Sequence, residues 1–321
     1  MSKQIGHGAL ANLMLGAVLL FITVPTAAAN EASSFSRREL TIKSSEHSDF
    51  RQLTLKRQSA ELISKATLAI EKNPEDSDAF YFRAFAESDY KRKLDAALID
   101  INKAIGLHPE VGAYYALKAA ILHMLDEDEA AIVVANKATK LLPDDGNAWN
   151  YKAAILSRLN QPAEAIKSVD FAIKLDRHAA QYHNTKARVL AKLCRWNEAI
   201  EQLSEGLRLN PTSLIMHSDR SSIAMRVKQW NVAISDLTWL NAHNPSLMNR
   251  ERNLRTRAKA YVETKQYDAA LQDYQAALKL FPDDRSVHAD VCRLYELMGN
   301  KQSAEKERTW LGAFDQDTTG R

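Results

Sequence analysis

Apolar residues recur along this chain with helical spacing in short segments, and the segments come in pairs joined by a short polar turn. Leu159-Asn160-Gln161-Pro162 and Met298-Gly299-Asn300 are two such turns. Prolines punctuate the pairs at Pro74, Pro109, Pro143, Pro211, Pro245 and Pro282, with Arg177 filling the missing place, so the steps are 35, 34, 34, 34, 34 and 37 residues. The residue before a proline is pushed out of the α region, so each proline predicts the end of the second helix of a pair. A fixed period in this range is the signature of stacked repeats. Each predicted unit is a helical hairpin that cannot bury its apolar face alone and needs a neighbour.

Three columns of small residues give the units their internal geometry. Alanine stands at Ala97, Ala131, Ala165, Ala199, Ala233, Ala270 and Ala304. An earlier column reads Ala84, Ala119, Ala153, Ala187, Ser221, Ala258 and Cys292, and a later one Ala69, Ala104, Ala138, Ala172, Gly206 and Ala277, with Leu240 as the exception. Small residues fixed in two successive apolar segments predict two helices crossing where side chains must not intrude. The predicted class is therefore all-α, a solenoid of seven to eight helical hairpins over residues 46–311. Residues 46–76, with apolar Phe50, Leu53, Leu62, Ile63, Ala66 and Ala69, form a weaker leading unit suited to a cap, because terminal repeats present a polar outer face.

These columns resemble the tetratricopeptide repeat family. The match is best in the unit running from Asn147, Ala148 and Trp149 through Ala153, Ala165 and Ala172, and nearly as good in the unit with Ala258, Tyr261, Ala270, Tyr274, Ala277 and Pro282. The resemblance implies a right-handed superhelix whose first helices line an inner, partner-binding surface. It implies no particular partner, since one fold hosts many functions.

The residue before the earlier small column is basic in six consecutive units: Arg83, Lys118, Lys152, Lys186, Arg220 and Arg257. Three residues after the alanine column come Asp100, Val134, Ser168, Gln202, Asp236 and Asp273, so aspartate accompanies arginine and never lysine. Arginine offers a planar fork that a carboxylate meets bidentately, which lysine cannot reproduce. Arg83–Asp100, Arg220–Asp236 and Arg257–Asp273 are therefore expected to pair within their hairpins, while the lysines lay their stems on apolar surface.

The opening segment reads as an address. Lys3, an apolar run from Ala9 to Val24, Pro25 and Ala27-Ala28-Ala29 predict a secretory signal peptide over residues 1–29 and an exported, periplasmic or secreted protein. Membrane contact is expected only through this segment, if it stays uncleaved. Residues 30–45 are a polar lead-in without periodicity, and 312–321 a disordered tail. Removing Lys3 leaves 42 basic against 40 acidic residues, a net charge of +2, so nothing global steers the chain to nucleic acid. Cys194 and Cys292, three units apart, are too distant for a disulfide if repeats add on the order of 10 Å each.

No catalytic motif, phosphate-cradling loop or ligand-spaced Cys/His pair is present, and a non-catalytic chain without cofactor or metal is expected. His183, His217 and His288 share a column but lie whole repeats apart, which suits packing and not common ligation at about 2 Å. The candidate partner-binding face comes from the first helices: Tyr81 and Phe85, then Asn150 and Asn184 in equivalent places, then Arg188, Lys192, Arg226, Arg252, Arg255 and Lys259. The two amides suit the backbone of an extended peptide. The cations either meet ligand carboxylates or belong to a solvated face balanced by Asp219, Glu263, Asp290 and Glu296. The expected role is a protein-binding scaffold. A carbohydrate-binding or polysaccharide-export accessory role is the alternative, with Tyr81 and Phe85 stacking on sugar rings and Arg255 and Lys259 meeting uronates.

Overall fold

The computed structural model describes residues 48–56, 58–89, 93–243 and 246–319. The predicted signal peptide, the lead-in and Pro245 lie outside the described residues. Sixteen helices run through the described residues, with no strand among them. They form hairpins α1 (Ser48–Leu55) with α2 (Ser59–Lys72), α3 (Ser77–Ser88) with α4 (Leu94–Leu107), α5 (Gly112–Met124) with α6 (Asp128–Leu141), and α7 (Gly146–Arg158) with α8 (Pro162–Leu175). Then follow α9 (Ala180–Lys192), α10 (Trp196–Leu209), α11 (Leu214–Arg226), α12 (Trp230–His243), α13 (Leu247–Glu263), α14 (Tyr267–Leu280), α15 (Arg285–Leu297) and α16 (Lys301–Thr319). The chain divides into two compact units, residues 1–185 and 186–321, with the division inside α9.

The weak leading unit is a hairpin whose first helix has only 8 residues. The 37-residue step falls on α13, which has 17 residues where α5, α7, α9, α11 and α15 have 13. The extra residues lengthen a helix and leave the packing columns in register. At the far end α16 continues to Thr319, past Leu311 where the periodic pattern ends.

The alanine column is the crossing point. Ala97, Ala131, Ala165, Ala199, Ala233 and Ala270 are all fully buried, as are Ala84, Ala119, Ala153, Ala187 and Ala258 in the earlier column. Cys292 takes the same place, its thiol donating to the carbonyl of Ala304 at 3.4 Å, and burial pushes that thiol's pKa up. Second helices stop where proline requires: Asn73, His108, Leu142, Asn210 and Phe281 each leave the α region with φ between −126° and −136°. Asp176, before Arg177, adopts the same bend at φ −145°, so the turn survives where its proline is missing.

A second device sits in the turn inside each of the last six hairpins. Asp126, Asn160, Cys194, Lys228, Lys265 and Gly299 all have φ between 56° and 73°. The following amide reaches back to close a Schellman cap, as Gln161 N–H does to Leu156 O at 2.9 Å and Arg195 N–H to Leu190 O at 2.9 Å. Only one of the six is glycine, so the left-handed strain is borne by ordinary side chains. Cys194→Gly should stabilise the protein by about 1 kcal/mol in urea unfolding, with no effect expected if the strain is already relieved locally.

Candidate functional site

The ring column of the first helices is structural. Tyr115 Oη, Trp149 Nε1, His183 Nε2, His217 Nε2 and His288 Nε2 each lie 2.8–3.2 Å from the carbonyl oxygen six residues earlier, on Pro109, Pro143, Arg177, Pro211 and Pro282. Each ring thus ties its helix to the end of the preceding second helix. A tryptophan, a tyrosine and a histidine share the column because each carries a polar hydrogen at similar reach.

All three predicted ion pairs form, and all are bidentate. Arg83 donates to Asp100 at 2.6 and 2.8 Å, Arg220 to Asp236 at 2.8 and 2.7 Å, and Arg257 to Asp273 at 2.7 and 2.7 Å. The third arm of each fork reaches a hydroxyl on the preceding second helix: Thr67, Ser204 and Thr238. Each arginine therefore joins three helices, more than the hairpin pairing that the columns imply.

On the inner face of residues 1–185, the amides are the open question. Asn150 and Asn184 occupy equivalent positions on α7 and α9, and the Oδ1 of each is buried with no hydrogen-bond partner among the described residues. Asn150 is only 9% exposed. A buried acceptor left unpaired costs about 1–3 kcal/mol, and these two stand in register on α7 and α9. Arg158, on the same helix, is used structurally. It donates to Asp126, to both oxygens of Asp128 and to the backbone of His123.

Tyr81 does not lie open on this face. It is 5% exposed, with its ring against Phe82 at 5.2 Å and Tyr114 at 5.4 Å. Its column is covered by the first helix of the next hairpin, so the ring packs and offers no free face to a ligand. Phe85 is half-buried against the same core.

Within residues 186–321 the cations are largely balanced inside the chain. Arg188 meets Asp219 at 4.0 Å and Lys259 meets Asp290 at 3.2 Å, each a cation paired with an aspartate 31 residues later on the next first helix. Arg255 approaches Asp284 at 3.8 Å and Asp290 at 3.9 Å. Burial raises the pKa of Asp219, with Arg188 opposing it. Arg226 lies over the Trp196 ring at 5.0 Å. Lys192 and Arg252 are exposed. Asp219 and Asp290 were among the acids expected to balance this face, and the shared 31-residue offset identifies their partners.

Among the described residues no group of His, Cys, Asp or Glu could hold a metal ion. Helical hairpins of two antiparallel helices, crossing at alanine and repeating every 34 residues, define a helical repeat protein. Models of the tetratricopeptide repeat match residues 134–167, 152–213 and 252–284. The chain carries tetratricopeptide repeats. No curated protein matches it. Among solved structures, "Functional Characterization of Pseudomonas Aeruginosa pilF" is similar at 15% identity and TM-score 0.56, covering 68% of this chain and 97% of that one. "Human IFIT1 dimer with PPP-AAAA" is similar at 14% identity and TM-score 0.54, covering 80% and 69%. "Crystal structure of APC/C hetero-tetramer Cut9-Hcn1" is similar at 18% identity and TM-score 0.52, and there this chain covers 81% of itself but spans half the length of its match. These likenesses are of fold.

Proposed function

We propose that this protein is an exported scaffold whose inner face holds an extended segment of a partner protein, with Asn150 and Asn184 accepting hydrogen bonds from its backbone. Tetratricopeptide repeats indicate a protein–protein interaction scaffold, and such a fold is typically non-catalytic. The observation that carries the finer reading is the pair of buried amide oxygens without partners on adjacent, equivalent positions. A peptide strand supplies N–H donors at regular intervals and satisfies both. Export rests on the pattern of residues 1–29; no helix among the described residues is long and apolar enough to cross a membrane. An acidic ligand gains little support, because Arg188, Arg255 and Lys259 already face carboxylates. The carbohydrate alternative loses its stacking platform with the burial of Tyr81.

The test separates a binding role from a structural one. Replacing Asn150 and Asn184 by leucine removes two unpaired buried acceptors, and should raise the free chain's stability by about 2 kcal/mol. The same change should weaken a partner captured from an extracytoplasmic extract by about tenfold or more. A destabilised double variant that keeps its partner would show that the amides serve the fold and not the ligand. Retention of glycan in place of protein would favour the alternative.

A further inference from the structure

Where the arginine bridge is missing, the fold leaves a slot. In three hairpins the bridge consists of an arginine, an aspartate on the second helix and a hydroxyl on the preceding second helix. The corresponding columns in the α7–α8 hairpin hold Lys152, Ser168 and Asn136. All three line one cavity of about 500 Å³ between α6, α7 and α8. The cavity therefore coincides with the absent bridge, and the protein itself shows what belongs there: a carboxylate opposite the cation.

The rest of the lining matches that reading. Trp149 and Phe171 form an aromatic wall, with ring centroids 4.7 Å apart, and Phe171 is exposed. The Lys152 ammonium stands 5.1 Å from the Trp149 ring and, among the described residues, forms no ion pair or hydrogen bond. Burial first, and then the charge of Lys140, push its pKa down, the mark of a desolvated cation without compensation. Glu164 and Lys167 also line the cavity but are both exposed, whereas Lys152 is half-buried. A cavity of this size, with an aromatic wall and a half-buried cation, suits a short side-chain pair.

We propose that this slot binds a partner polypeptide through an aspartate or glutamate adjacent to an aromatic or large aliphatic side chain. The carboxylate takes the place that Asp236 fills in its own hairpin, and the apolar neighbour packs on Trp149 and Phe171. Successive residues turn 100° around a helix, so Lys152 points away from Asn150 on α7 and the slot is separate from the inner face. Its failure is thus distinguishable from that of the inner-face reading.

The probe is the peptide acetyl-Ala-Phe-Asp-Ala-amide, followed through the indole N–H signal of Trp149 in the full chain, with the asparagine counterpart as control. A saturable shift is expected with the aspartate peptide, and at least about tenfold weaker binding with the asparagine one, the usual worth of a charged hydrogen bond. Lys152→Met should show the same loss. The double variant Lys152→Arg/Ser168→Asp rebuilds the bridge, so it should keep or raise the melting temperature while abolishing the shift. The Asn150/Asn184 leucine variant should bind the peptide as the parent does. Equal binding of the two peptides, a shift surviving in the rebuilt bridge, or no shift at all would overturn the proposal. So would free 3-phenylpropionate binding as tightly as the peptide, which would make this a small-molecule site.

Discussion

Replacing Asp236 with alanine should cost about 3–5 kcal/mol of unfolding free energy, the usual penalty for removing one partner of a buried pair. Asp236 is fully buried on α12, and its partner Arg220 also reaches Ser204 on α10. It accepts two hydrogen bonds from Arg220 on α11 and lies 2.7 Å from His217 Nδ1. His217 in turn stacks on Trp239 with ring centroids 4.1 Å apart. Without the carboxylate, a mostly buried guanidinium keeps only the Ser204 hydroxyl and has no counter-charge, and the imidazole keeps only the Pro211 carbonyl and the Trp239 stack. The double variant Asp236→Ala/Arg220→Met removes the stranded charge and should recover more than half of the loss. Asp100 and Asp273, which have no histidine on them, should each cost less. Urea unfolding measures all of these. A loss under about 1 kcal/mol for Asp236→Ala would mean that the bridge is solvated like a surface ion pair.

That network shows how far spacing alone reaches. Arg220–Asp236 was legible because the two columns change together, arginine with aspartate and lysine without. The alanine columns were legible because a crossing of two helices excludes every larger side chain, so the constraint appears in residue identity. The left-handed turn was not legible. Asp126, Asn160, Cys194, Lys228 and Lys265 have no common chemistry, since the cap demands only a backbone conformation. Arg177 was read correctly as a substituted proline, and Asp176 bends as the others do.

The candidate face was half legible, for a related reason. A helical period says which residues share a stripe, but not how far the next hairpin leans over it. Asn150 and Asn184 were found from their equivalence, yet their burial depends on that lean. Tyr81 shares their column and was read as open for the same reason. The cations of residues 186–321 were left between a ligand-binding and a balanced reading, because spacing within a repeat does not reveal partners in the next one. Arg188–Asp219 and Lys259–Asp290 join successive hairpins and are partly exposed, so each contributes at most about 1 kcal/mol. Their larger effect is to cancel the field that a basic groove would present to an acidic ligand.

The burial of Tyr81 rests on Tyr114, and this makes the second large effect. Tyr114→Ala should cost about 3–5 kcal/mol, as for other large buried aromatic truncations. Tyr114 is 1% exposed and sits in the core shared by α3, α4 and α5. Its hydroxyl donates to Asp78 at 2.7 Å and lies 3.0 Å from Ser77 Oγ, tying α5 to the start of α3. Tyr114→Phe keeps the ring and loses only that tie, and should cost about 1–2 kcal/mol. Because repeat arrays are stabilised by nearest neighbours, native-state hydrogen exchange should rise in α3 and α5 and stay unchanged beyond residue 186. The alanine variant should also uncover the Tyr81 ring, which the phenylalanine variant should keep covered. If Tyr114→Ala costs less than about 1 kcal/mol, the two rings are not a packed pair, and Tyr81 returns to the inner face as a residue a ligand can reach.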